Sequence, residues 1–198
     1  MDKKLMATRS SLIRQLKELG NEKAWREFFE LYWPLLFNAA LRTGFKEQDA
    51  EDLVLETVAV VAKRIDEFEY EKKKGRFKSW LLTILKHRIG DLIRKRRRRP
   101  VADAGAVLED LPDPRGPELE EKWDQEFRAH LIGMALGRVK QMVSPDQYQM
   151  FYLYTIEGQS AAEVAAFTGT TRNAVYMAAR RARKIFDEEL KCLKGKPI

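Results

Sequence analysis

The chain has 198 residues, a formal net charge of +7 and an apolar fraction of 44%, which suits one medium or two small folded domains and points to a polyanionic partner. Cys192 is the lone cysteine, and His87 and His130 stand far apart, so a disulfide framework and a cysteine-based metal site are excluded, and incidental histidines are favoured over catalytic ones. The start "MDKKLMATRSSLIRQL" has charge but no apolar run of signal-peptide length, and nothing reaches the ~18 uncharged apolar residues of a membrane span, so a reducing cytoplasm without membrane insertion is expected.

In chain order, 3.6-residue apolar periodicity recurs and β-branched alternation is missing, which predicts an all-α protein. "EKAWREFFELYWPLLFNAALRTG" places Trp25, Phe28, Phe29 and Tyr32 on one side of a helix. Pro34 is expected to break or kink it, and Gly44 to end it.

A second helix is predicted over roughly Glu47 to Phe68. Ala50, Val54, Thr57, Val58, Val61 and Ile65 form its core-facing stripe. Asp49, Asp52 and Glu56 fall within about 60° of one another on a different side, with Leu53 and Val60 beside them. Such a stripe suits docking onto a basic, partly apolar protein surface. A solvated helix face is the plain alternative. Metal binding is disfavoured, because no histidine or fourth carboxylate joins the three acids.

A third helix is predicted over roughly Arg76 to Arg99. Phe68, Tyr70, Phe77 and Trp80 are interleaved with Lys72, Lys73, Lys74, Arg76 and Lys78. Aromatics among cations can stack exposed bases while the charges follow phosphates. The competing reading puts Phe77, Trp80, Leu81, Ile84 and Leu92 in the core. The six basic residues Arg94 to Arg99 then end at Pro100, as a solvated tail, a nuclear address or a helix end laid on nucleic acid.

Residues 100–118, "PVADAGAVLEDLPDPRGPE", hold four of the seven prolines and read as a flexible acidic linker. It divides a block of 1–99 from a block of 119–198. In the second block, Ser144, Pro145 and Gln147 open one helix and Gly158 closes it. Ser160 and Glu163 form an S-x-x-E capping box for a short helix ending near Gly169, and Thr171 caps a longer one. A short helix, a glycine turn and a longer basic helix make the helix-turn-helix pattern. On the longer helix Val175, Ala178, Ala182, Ile185 and Phe186 gather on one side. Arg172, Tyr176, Arg180 and Arg183 gather on another, flanked by Asn173 and Lys184, placed to enter a major groove.

Three stretches together resemble the extracytoplasmic-function (ECF) group of sigma-70 family sigma factors. "DAEDLVLETV" resembles the part of region 2 that docks on the clamp helices of the largest RNA polymerase subunits. "RFKSWLLTILKHRIGDLIRKRRR" resembles the part that recognises and opens the −10 element, and "EGQSAAEVAAFTGTTRNAVYMAARRARKIF" resembles region 4, which reads the −35 element. The resemblance implies two helical domains, a region 2 bundle over 1–99 and a region 4 domain over 119–198. Asp49, Asp52, Leu53, Glu56 and Val60 would then meet core polymerase. Tyr70, Arg76, Lys78, Trp80, Lys86, His87, Arg94, Arg96 and Arg97 would meet −10 DNA. Thr171, Arg172, Asn173, Tyr176, Arg180, Arg183 and Lys184 would meet −35 DNA. RNA polymerase core and promoter DNA are the implied partners, with an anti-sigma factor or another regulator by analogy. No cofactor, metal or catalytic residue is expected.

One departure matters. Where the family commonly has a Lys-Ser-Arg-like set in the recognition helix, this chain has Tyr176, Met177 and Ala178, so an unusual −35 preference is expected. Two rivals compete with this reading. A helix-turn-helix regulator acting without core polymerase would leave "DAEDLV" and the aromatic-basic helix without a task. A nucleic-acid-processing enzyme lacks a phosphate loop, an activated nucleophile and a carboxylate–metal cluster.

Overall fold

A computed structural model describes residues 10–68, 77–97 and 117–194. The order is α1 (Ser10–Leu16), α2 (Glu22–Arg42), α3 (Glu47–Arg64), α4 (Phe77–Arg97), α5 (Pro117–Met142), α6 (Pro145–Phe151), a π-helical turn (Tyr152–Ile156), α7 (Ala161–Thr168) and α8 (Arg172–Lys194). The described residues contain no strand, as the periodicity predicts. They divide into two compact units, Met1–Arg128 and Ala129–Ile198.

In the first unit, α2, α3 and α4 wrap an aromatic centre. Phe28, Tyr32 and Phe77 are buried, with Phe28 5.2 Å from Tyr32 and Tyr32 5.6 Å from Phe77. Phe68 meets Phe77 edge to face at 5.4 Å and 89°. Such pairs add roughly 0.5–1.5 kcal/mol to the burial of the rings. Phe77→Ala is therefore expected to cost about 3–5 kcal/mol, seen as a lowered urea midpoint. That would be a large share of the roughly 5–15 kcal/mol that stabilises an ordinary domain.

Pro34 does not break α2, which runs on to Arg42. A proline inside a helix costs ~3 kcal/mol. Here Leu31, Tyr32, Leu35 and Leu36 on either side of it are all buried, so core packing keeps the helix going. Helix α1 is only seven residues long, too short for apolar periodicity to mark it. It belongs to the fold because Leu12, Ile13 and Leu16 are buried. Thr57, buried on α3, satisfies its hydroxyl by donating to the Leu53 carbonyl at 2.7 Å.

The unit boundary lies beyond the expected start of the second block at residue 119. Trp123 and Phe127 of α5 are buried, and Phe127 stacks on Tyr32 at 5.6 Å and 11°. The apolar positions Leu119, Trp123 and Phe127 recur every four residues, and that stripe assigns the start of α5 to the first unit.

In the second unit, Met150, Ala161, Val164, Ala165, Val175 and Ala178 form one buried cluster. Val139, Phe151 and Ala182 form another, with Ile185 and Phe186 packed against it. Ser144 caps α6 as expected, accepting from the Gln147 N–H at 3.3 Å while Gln147 reaches back to the Ser144 N–H. Arg138 and Glu189 form an ion pair at 2.8 Å. No helix among the described residues is long and apolar enough to cross a membrane.

Candidate protein and nucleic-acid interfaces

The acidic face of α3 is an exposed feature. Asp52 and Glu56 point to solvent. Asp49 forms an ion pair with Arg96, whose guanidinium also lies 5.1 Å from the centroid of Phe45. Leu53 does not belong to this face. It is 1% exposed, because at 100° per residue it falls at the edge of the buried arc of Ala50, Thr57 and Val61. Val60, about 20° from Leu53 on the same edge of the stripe, is half-buried. The exposed aliphatic beside the acids is Leu55, at 53%. It was legible in the sequence, since it lies about 60° from Asp52, away from the core arc.

On α4 the core reading holds for one set of residues, and another set is exposed to solvent. Phe77, Leu81, Ile84, Leu85 and Ile89 are buried. Lys78 is only 3% exposed and forms an ion pair with Asp124. It therefore cannot meet DNA in this arrangement. The cause is its position inside the buried arc, between Leu85 and Ile89 in helical projection. Lys86 is paired with Glu120 at 2.8 Å, its side chain 14% exposed. Trp80 is half-buried, 5.0 Å from Phe68 and 5.5 Å from Phe77, so one part of the ring anchors the core and the rest faces out. Thr83, His87 and Arg94 are exposed and fall with Trp80 within about 60° on one face. Sequence reasoning missed Thr83, although the spacing of three from Trp80 and four to His87 marks it. Arg94 also pairs with Asp91. Tyr70, Arg76 and the side chain of Arg97 lie outside the described residues, as do Lys72 to Lys74 and Arg98 to Pro100.

The helix-turn-helix is built by local chemistry. Ser160 accepts from the Glu163 N–H at 3.2 Å, and the Glu163 carboxylate accepts from the Ser160 N–H at 2.8 Å. The Ser160 hydroxyl, and after it the Ser160 N–H, hold the Glu163 carboxyl below its ordinary value by hydrogen bonding to its charged form. A lowered pKa means the cap contributes above the unfolded value and is lost as pH falls through the folded one. Ser160→Ala is expected to cost about 1 kcal/mol, measured by denaturant melts at neutral pH. Gly169 ends α7 at φ +65°, where a Cβ would be strained. The Thr170 N–H then closes onto the Ala165 carbonyl at 2.9 Å. Thr171 accepts from the Ala174 N–H at 3.2 Å and starts α8.

On α8, Val175, Ala178, Ala179 and Ala182 are buried. Thr171, Arg172, Asn173, Tyr176, Arg180, Arg183 and Lys184 are all exposed. The two faces thus separate as the projection requires. Tyr176 rests edge-on against Tyr154 of the π-helical turn, at 5.6 Å and 84°. Tyr154, Thr155 and Gln159 line a concave surface with Tyr176, Arg180 and Arg183. Sequence reasoning missed this second row, because a π turn displaces side chains from a 3.6-residue projection. Among the described residues, no group of three His, Cys, Asp or Glu could hold a metal ion.

An acidic-faced helix, an aromatic-basic helix and a capped helix-turn-helix on two all-α units are the features of a DNA-directed transcription protein. The family description "Sigma-70 region 2" matches residues 28–99, and "Sigma-70, region 4" matches residues 133–185. RNA polymerase sigma factor CnrH of Cupriavidus metallidurans is 27% identical over 165 residues, covering 83% of this chain and 85% of that protein. ECF RNA polymerase sigma factor BldN of Streptomyces coelicolor is 24% identical over 176 residues, covering 87% of this chain and 64% of that protein. The solved structure of the sigma factor RpoE in complex with the anti-sigma factor NepR from Bartonella quintana is 28% identical, covers 85% of this chain and 98% of that one, and has a TM-score of 0.35. The chain belongs to the ECF group of the sigma-70 family of RNA polymerase sigma factors. It is accordingly a non-enzymatic transcription initiation factor whose partners are RNA polymerase and promoter DNA.

Proposed function

We propose that the chain works through three surfaces in sequence. Asp49, Asp52, Glu56, Val60 and Leu55 on α3 dock on the clamp helices of core polymerase. Trp80, Thr83, His87 and Arg94 on α4 bind and hold open the −10 element, with Arg96 and Arg97 on the adjacent phosphates. Thr171, Arg172, Asn173, Tyr176, Arg180, Arg183 and Lys184 read the −35 element. The carrying observation is the exposed face of α8, where Arg172, Tyr176, Arg180 and Arg183 line one side of a capped helix-turn-helix. Residues 1–99 and 119–198 would then carry the region 2 and region 4 tasks, in the cytoplasm where the polymerase works. An anti-sigma factor or another regulator belongs to the same reading by family analogy.

The deciding experiment is transcription by purified protein plus core polymerase on a promoter library. Promoter-specific transcripts and co-purification with core are expected. No transcripts and no co-purification would end the reading in favour of a regulator that binds DNA alone.

Two smaller predictions concern α4. Trp80→Ala is expected to slow open-complex formation by about 10-fold while leaving initial promoter binding near wild type, since base stacking contributes about 1–3 kcal/mol per base. Permanganate footprinting against filter binding separates the two steps. Neutralising Arg94 and Arg96 with glutamine is expected to shallow the salt slope of promoter binding by about 1–2. An unchanged slope returns the arginine run to a solvated helix end.

A further inference from the structure

The first unit holds a groove between α2 and α4 that is already occupied. Its floor carries Tyr32 and its edges carry Lys78, Lys86 and Arg42. The occupant is the start of α5, residues 119–127. Leu119, Trp123 and Phe127 are buried along one stripe. Phe127 stacks on Tyr32, and the Lys78 ammonium lies 5.7 Å from the Phe127 centroid. On the flanks of that stripe, Glu120 meets Lys86 at 2.8 Å, Asp124 meets Lys78, and Glu126 meets Arg42. An acidic helix with an aromatic stripe thus fits an aromatic groove rimmed by cations.

We propose that this groove is a receptor for an acidic, aromatic-bearing helix, that residues 119–127 fill it in the free chain, and that single-stranded DNA displaces them by taking over Lys78 and Lys86. The inference rests on the reading of α4 as the −10 surface. Carboxylate and phosphate oxygens are equivalent partners for a lysine ammonium, both being anionic acceptors of charge-assisted hydrogen bonds. Asp124 and Glu120 therefore hold the two lysines as phosphates would. Lys78, at 3% exposure, becomes available to DNA only when Asp124 withdraws.

The seat also has a defect that favours release. The Trp123 indole Nε1 is buried without a hydrogen-bond partner, a cost that vanishes when the ring returns to water. Because the occupant belongs to the same chain as α4, its effective concentration is high, and a moderately bound segment can still hold the groove. Sequence-tolerant binding of single strands by the free protein is then weakened by the fraction of molecules whose groove is filled.

The test uses the full chain and a fluorescein-labelled, random-sequence single-stranded DNA. In hydrogen exchange, amides of residues 119–127 are expected to be protected in the free protein and to lose protection on saturation with the DNA. Glu120→Gln combined with Asp124→Asn is expected to tighten DNA binding about 10-fold, the gain expected if one molecule in ten is open in the wild type. A synthetic peptide of residues 117–128, added to that variant, should weaken DNA binding again. Unchanged protection on DNA saturation overturns the inference. So does a variant that exposes 119–127 to exchange yet binds DNA as the wild type does, or a peptide without effect. Trp80→Ala in the released variant separates the two claims. If it abolishes DNA binding while release itself changes nothing, only the inference fails. If it leaves DNA binding intact, the reading of α4 fails, and the inference with it.

Discussion

Asp52→Arg combined with Glu56→Arg is expected to weaken core polymerase binding by about 100-fold or more and to abolish transcription, with the fold intact. The two carboxylates are exposed on one face of α3, so reversal removes two attractive charges and sets two cations against a basic partner. Like charges juxtaposed at an interface cost several kcal/mol, and each 1.4 kcal/mol is about tenfold in affinity. The fold should survive because neither side chain enters the core, which on this helix is Ala50, Leu53, Val54, Thr57 and Val61. Circular dichroism and a denaturant melt check the fold, and titration with labelled core checks the interface. Unaltered affinity would remove the acidic stripe from the docking surface. Leu55→Ser on the same face is the milder companion, removing exposed apolar area without charge.

Arg172→Ala combined with Arg180→Ala is expected to reduce transcription by about 100-fold at promoters that depend on a −35 element. A well-placed arginine–base pair contributes roughly 1–3 kcal/mol of discrimination, and the two side chains stand on one exposed face of α8. The fold should again be spared, since Val175, Ala178, Ala179 and Ala182 on the opposite face do the packing. Promoters without a −35 element serve as the control. Equal loss on both classes would assign the arginines to phosphate contacts, which position the protein without choosing sequence. Tyr176→Ala should change preference more than affinity, because the ring leans on Tyr154 rather than standing alone.

Much of this molecule is legible as sequence. The capping box at Ser160 and Glu163, the glycine at 169 and the split faces of α8 all come from local rules. Hydrogen bonds three residues apart and a 100° turn per residue need no distant partner. The acidic stripe on α3 is readable for the same reason. Local rules fail where a distant element changes the outcome. Pro34 is expected to break or kink α2, yet the helix is not broken, with buried leucines on both sides of the proline. Seven residues of α1 are too short to declare themselves, and their three buried side chains have meaning only against a core.

Lys78 shows the limit most plainly. In sequence it is one cation among several beside aromatics. In the fold it faces inward, and its charge is tolerable there because Asp124, 46 residues away in sequence, meets it. A buried charge without such a partner would be strongly destabilising. The sequence by itself determined the all-α class, the helix caps, the acidic and basic faces and the order of the three functional stretches, because each depends on neighbours within a few residues. Only the tertiary structure decided that Leu53 and Lys78 turn inward, that Trp80 is shared between core and surface, and that the start of α5 seats against Tyr32. Those outcomes depend on which faces meet, and burial free energy is a property of the contact between elements rather than of any one of them.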